Sequence, residues 1–226
     1  MRLRLNRRGI LEGTRHIDSP NSDERPPGCR IELLVIHYIS LPPGRFGGDA
    51  IEAFFTNRLD PDAHPFFATI AELKASAHFL VRRDGEILQF VPCEKRAWHA
   101  GESSWNGRSR CNDFSIGIEV EGDGETPFTR AQYQRLAALT RMLTRRYPIA
   151  DIVGHSDVAP SRKFDPGPQF DWIRYRAMVD AGGRRERKGQ TKRPGALRTL
   201  APARPSRAKA GRKATRRRRA AREPKR

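Results

Sequence analysis

Residues 31–37, IELLVIH, and residues 114–122, FSIGIEVEG, decide the fold. The first is an almost unbroken apolar run ending in a histidine, the pattern of a central strand buried on both faces. In the second, Phe114, Ile116, Ile118 and Val120 alternate with Ser115, Gly117, Glu119 and Glu121. The two-residue period of a strand puts Glu119 on the face opposite the isoleucines.

The flanking segments supply helices. SLPPGRFGGDA (40–50) is too rich in Pro and Gly to be anything but a loop, and it leads into a helical stretch over 49–58 with Asp49 placed to cap it. A second helical stretch follows DPDAHP and runs to about Lys74. Residues 77–83 and 86–91 flank Asp84-Gly85, a strong hairpin signal. Thr129 and Gln132 have capping-box spacing, and the helix they start extends to about Arg146, with Tyr133, Leu136, Ala137, Thr140 and Leu143 on its buried stripe. ADIVG (150–154) is a short strand before His155, and a last amphipathic helix spans 168–180 with Pro168 near its start. Interleaved strands and helices predict an α/β fold, a single mixed β-sheet flanked by helices.

Charge divides the chain in two. Residues 181–226 hold 19 Lys and Arg against 2 acids, a surplus of 17, so the preceding residues carry only one unit of the net +18. The body, 1–180, therefore reads as an ordinary near-neutral domain. The segment 181–226 has no aromatic residue and too few large aliphatics to offset the entropy of ordering, so the sequence predicts a disordered basic tail. Such a tail attracts polyanions, nucleic acid or an anionic envelope surface, without sequence preference, or serves only as a solubilising extension. No apolar run is long enough to span a membrane, and the basic N-terminus lacks the apolar stretch of a secretory signal. Cys29, Cys93 and Cys111, odd in number and without C-x-x-C spacing, fit reduced thiols in the cytoplasm.

Three residues could hold a metal. His37 closes an apolar strand before a loop, His155 follows another, and Asp165 comes ten residues later. Two histidines and one carboxylate are the ligand set of a catalytic zinc site, although any one of these histidines alone more often satisfies a local hydrogen bond. Glu119 lies between Gly117 and Gly122, where small residues leave room for something to approach, and Lys163 is two residues before Asp165. A carboxylate to move a proton and a cation to meet a developing oxyanion are what amide hydrolysis needs. His78, inside a strand, reads as structural, His64 as fixing a helix start or loop, and Cys111 as packing.

HYISLPPGRFGG, DPDAHPFF, SAHFLVRRDGEILQFVP, RAWHAG, RCNDFSIGIEVEG and GHSDVAPSRKFDPGP occur in order from about Gly9 to Trp172. Together they resemble the N-acetylmuramoyl-L-alanine amidases of the AmpD type, in particular the cytosolic branch acting on 1,6-anhydro-muropeptides in murein recycling. The resemblance implies Zn²⁺ at the rim of a groove, with His37, His155 and Asp165 as ligands, Glu119 as the catalytic carboxylate and Lys163 as the catalytic lysine. It implies muropeptide contacts from Trp98 and Arg110 and puts Tyr38 and Lys74 near the groove, while His99, beside Trp98 in a Gly-flanked loop, reads equally as lining the groove or as structural. Tyr38 and Lys74 depart from the Asn and Arg common at those positions in the branch. The loop 40–48 beside His37 is the candidate lid. Rival readings are a phage-type or envelope amidase acting on polymeric peptidoglycan and a non-catalytic peptidoglycan-binding module. Intact His37, His155, Asp165, Glu119 and Lys163 count against the latter.

Overall fold

The computed structural model describes residues 3–187. In chain order the elements are β1 (Arg15–His16), β2 (Ser22–Glu24), β3 (Leu33–Ile39), α1 (Ala50–Phe55), α2 (Pro65–Ile70), β4 (Phe79–Val81) and β5 (Ile87–Gln89). There follow β6 (Lys95–Ala97), β7 (Ser104–Trp105), β8 (Arg108–Ser109), β9 (Ser115–Glu121), α3 (Arg130–Arg146), β10 (Asp151–Gly154), α4 (His155–Val158) and α5 (Trp172–Arg187). Among the described residues, six strands form the main sheet in the order β1-β5-β4-β9-β3-β10, and two-stranded ribbons pair β2 with β6 and β7 with β8. Only β4 and β5, joined through Asp84-Gly85, run antiparallel within the main sheet; its other neighbours are parallel. The expected mixed sheet flanked by helices is the observed architecture.

Alternation along the two central strands sorts the molecule into layers. Leu34, Ile36, Ile116, Ile118 and Val120 face α3 and α5, where they meet Tyr133, Leu136, Leu143 and Tyr175. Leu33 and Val35 face the other way, beneath Ala100, Cys111 and Phe114. Farther along that second face, Leu80 and Leu88 pack with Phe54, Phe55 and Phe67 from α1 and α2. All seven residues of β9 are buried, Glu119 and Glu121 included. Burying two carboxylates in the middle of a sheet is costly unless each has a partner or a task.

Helix α3 has the predicted capping box, with Thr129 Oγ1 accepting from Gln132 N at 3.1 Å and Gln132 Oε1 accepting from Thr129 N at 2.9 Å. Other helix ends differ from the sequence reading, each for a tertiary reason. Asp49 precedes α1 without a side-chain cap; its carbonyl accepts from Ala53 N instead. Helix α2 stops at Ile70 rather than near Lys74, because Asn21 takes the carbonyl of Ala75 and Ser76 N donates to Trp98 O, drawing the chain into β4. The last helix begins at Trp172, since Asp171 caps it through Arg174 N and is held by Tyr133 Oη, and it continues past Asp180 to Arg187. The expectations for the basic segment beyond Arg187 lie outside the described residues. Cys29, Cys93 and Cys111 are all free thiols. Among the described residues no helix is long and apolar enough to cross a membrane.

Candidate active site

Strand register assembles the site. The parallel pairing of β3 with β9 sets His37 opposite Glu119, on the face away from α3. On the other edge of β3, β10 pairs Gly154 with Ile36, so His155, the next residue, emerges beside His37. This is the carboxyl end of parallel strands, where open α/β sheets place their ligands. The segment after α4 then folds back, and Ser156 N donates to Asp165 O at 2.9 Å. Gly154 makes this return possible: a Cβ there would lie 2.7 Å from Pro166 Cδ.

Three donor atoms converge. His37 Nδ1 lies 3.0 Å from His155 Nδ1 and 3.0 Å from Asp165 Oδ2, and His155 Nδ1 lies 3.1 Å from the same oxygen. His155 Nε2 faces the Ala100 carbonyl at 3.1 Å, which can only accept, so Nε2 carries a proton, and a ring bearing that single proton offers its Nδ1 lone pair. Burial pushes the His37 imidazole down to about 4, leaving it neutral at pH 7. Burial would raise Asp165, but its contacts with the His155 and His37 rings outweigh burial and hold the carboxyl below its usual range. Two imidazole nitrogens and an ionised oxygen, all buried and in mutual contact, are the arrangement a divalent cation relieves. Two imidazoles and one carboxylate suit zinc.

Glu119 stands beside this cluster. Its Oε2 is buried without a hydrogen-bond partner among the described residues. Burial, reinforced by the charge of Asp165, pushes its carboxyl well above the usual range, while the Lys163 charge pulls the other way. Lys163 is half-buried, and its charge reaches both Glu119 and His37. Its backbone N–H is tied to Ala159 O. An orphaned buried carboxylate with a raised pKa is the physical signature of a group kept for proton transfer.

A family model described as N-acetylmuramoyl-L-alanine amidase matches residues 27–168, the stretch that contains every one of these groups.

The chain belongs to that amidase family.

AmpD of Enterobacter cloacae, a 1,6-anhydro-N-acetylmuramyl-L-alanine amidase, is 59% identical over 180 residues, covering 79% of this chain and 96% of the relative. AmpD of Escherichia coli K12 is 59% identical over 173 residues, covering 76% and 94%. The crystal structure of a selenomethionine AmpD derivative is similar at a TM-score of 0.76 and 59% identity, with 77% of this chain and 98% of that one covered. A complex of the amidase AmiD from E. coli with the substrate anhydro-N-acetylmuramic acid-L-Ala-D-γ-Glu-L-Lys is similar at a TM-score of 0.50 and 33% identity, covering 77% and 65%.

The remaining groups expected near the groove of this amidase divide. Tyr38 follows His37 in β3 and so points to the opposite face, where its ring packs against Gly124 and Gly167. It shapes the loops under the site rather than the metal face itself. His99 does not line the groove either. Its ring is buried, with Nδ1 3.0 Å from His37 Nε2 and Nε2 3.0 Å from Ser115 Oγ. The room read at Gly117 and Gly122 is likewise filled from within, by the rings of His99 and Phe128. Trp98 is half-buried, its backbone N–H donated to Ser76 Oγ at 3.0 Å. Arg110 is exposed, in the left-handed region at φ 61°, with Nε 3.0 Å from Asp113 Oδ2. Lys74 is exposed in the loop before Ser76.

His78 and His64 have the structural roles expected. His78 Nδ1 accepts from Gly117 N at 3.0 Å, and His64 Nδ1 accepts from Phe66 N at the start of α2. Residues that the sequence did not single out hold the site together. Asn112 Oδ1 accepts from both His99 N and Ala100 N, and the half-buried Arg25 guanidinium donates to the carbonyls of Cys93, Asn112, Asp113 and Ser115. Asn112 lies in the quoted motif RCNDF, but its role depends on a loop closing back onto it.

Proposed function

We propose that the chain is a zinc-dependent amidase that cleaves the bond between the lactyl group of 1,6-anhydro-N-acetylmuramic acid and L-alanine in muropeptides, acting in the cytoplasm in murein recycling. The observation that carries the chemistry is the Glu119 carboxylate, its Oε2 without a partner among the described residues, opposite His37 and beside the converging donors of His37, His155 and Asp165. The substrate class follows from relatives 59% identical over nearly their whole length that are named for this bond.

His37 Nδ1, His155 Nδ1 and Asp165 would hold the zinc, which supplies a Lewis acid and brings the pKa of a bound water towards ~7. Glu119, its pKa raised by burial, accepts a proton from the attacking water and returns it to the departing alanine nitrogen. The Lys163 ammonium meets the negative charge that develops on the carbonyl oxygen. Trp98 and Arg110, on the loops that cover this face, are the proposed muropeptide contacts, and exposed Lys74 is a more peripheral one. The basic segment 181–226 adds a salt-dependent attraction to polyanions in this reading.

Release of peptide from anhydromuramyl-tripeptide, from its non-anhydro counterpart and from intact sacculi, followed by mass spectrometry, tests the proposal. Chelator-sensitive release mainly from the anhydro fragment is expected. Comparable release from sacculi would overturn the recycling role, and no release from zinc-loaded protein would overturn the enzyme reading.

A further inference from the structure

One dipeptide receives the outward-facing nitrogens of both ligand histidines. His155 Nε2 meets the carbonyl of Ala100 at 3.1 Å, and His37 Nε2 meets the ring nitrogen Nδ1 of His99 at 3.0 Å. Its backbone is fixed from one side by Asn112 Oδ1, which takes the N–H groups of both residues at 3.1 and 2.8 Å. From the other side Arg162 Nη2 donates to the Ala100 carbonyl at 2.9 Å.

The His99 ring is held as tightly. Its plane lies against Gly117, where an added Cβ would come within 2.4 Å of His99 Cγ. Its Nε2 faces Ser115 Oγ at 3.0 Å. The strand thus gives up a side chain at Gly117 and spends a hydroxyl at Ser115 to admit an imidazole where an apolar ring would fill the same space. An imidazole differs from such a ring in one respect that matters here: with Nε2–H given to Ser115, Nδ1 becomes a pure acceptor.

We propose that His99 is a positioning residue for the metal centre: its Nδ1 accepts the Nε2–H of His37 and so fixes the tautomer in which His37 Nδ1 is a bare donor. This rests on the zinc reading given above. Ala100 performs the same service for His155 through its carbonyl, so the loop carrying both residues sets the ligating atom of each histidine. A ligand nitrogen whose partner nitrogen is held by an acceptor is oriented and made more basic, and loss of such a partner typically weakens metal binding by ~10–100-fold.

The test is the zinc dissociation constant, measured by competition with a chromophoric chelator, for the wild-type chain and for His99→Leu, His99→Asn and Gly117→Ala. Thermal melts of each metal-free protein report folding. His99→Leu keeps the bulk and removes the acceptor, so zinc binding should weaken ~10–100-fold. His99→Asn returns an acceptor at the Nδ1 position and should recover most of the loss, which a purely structural role does not predict. Gly117→Ala displaces the ring without changing it and should weaken binding in the same direction as His99→Leu. A His99→Leu protein that binds zinc as tightly as wild type, or a folded His99→Asn no better than His99→Leu, overturns the proposal. Long-range ¹H–¹⁵N spectra of zinc-loaded wild type decide it without any variant: His99 should carry its proton on Nε2, and a proton on Nδ1 would refute the assignment. Failure of the wild-type chain to bind zinc would instead bring down the metal reading itself, and this inference with it.

Discussion

His37 and Glu119 are paired residues of adjacent parallel strands, β3 and β9, with side chains on the same face of the sheet. Neighbouring strands are about 4.8 Å apart, so the backbone alone holds a metal-ligand candidate and a proton-transfer candidate at working distance. Neither group depends on a flexible loop for its place. The histidine is fully surrounded and neutral, while the carboxylate has one oxygen left without a partner.

Replacing Glu119 by alanine should therefore lower turnover by about 10²–10⁴ while leaving zinc bound, since the residue moves a proton and ligates nothing. Steady-state kinetics combined with metal analysis checks both halves. Loss of zinc from Glu119→Ala would show the residue to be a ligand.

The same residue should cost the protein stability. Its folded-state pKa is raised, so between the unfolded value and that raised value the folded chain binds the extra proton and stability falls as pH rises. Metal-free Glu119→Gln should be more stable than metal-free wild type at neutral pH by about 1 kcal/mol, with the gap shrinking as pH is lowered towards 4. Denaturant melts at several pH values measure this. A pH-independent difference would count against a raised pKa for Glu119 in the folded chain.

Lys163→Ala should reduce kcat by about 10²–10³, the usual loss for one electrostatic donor to an oxyanion, with little change in zinc affinity. Lysine to arginine keeps the charge and should retain more activity than alanine. Near-normal turnover in Lys163→Ala would exclude the role.

The second buried carboxylate of β9 has a different use. Glu121 accepts from Gly47 N at 2.6 Å and from Arg83 N at 3.0 Å, and Arg82, paired with Glu52, donates to Gly48 O at 2.7 Å. The loop expected to act as a lid is thus tethered at Gly47–Gly48, and Phe46 lies under the Arg83 guanidinium. Glu121→Ala should destabilise the fold by about 2–3 kcal/mol, because it strands buried donors, and should speed hydrogen exchange at Gly47. A Gly47 amide exchanging as fast in wild type as in the variant would contradict the tether.

Much of this protein is local in origin and was legible from its residues in order. The alternation in 115–121 placed Glu119 away from the isoleucines, the Thr129–Gln132 spacing started α3, and Asp84-Gly85 turned β4 into β5. His37, His155 and Asp165 were legible by residue type as candidate donors, and only the resemblance joined them into one ligand set; the partition of charge along the chain is read from composition alone. Tertiary structure alone decided what fills the space beside each group. Gly117 reads as room for a ligand until His99 occupies it, Tyr38 reads as a groove residue until strand pleat turns it to the other face, and helix α2 reads on to Lys74 until Asn21 and Trp98 capture the chain. Periodicity is a property of a few neighbouring residues, whereas these contacts join segments far apart in the chain, and only strand register and loop closure bring them within reach.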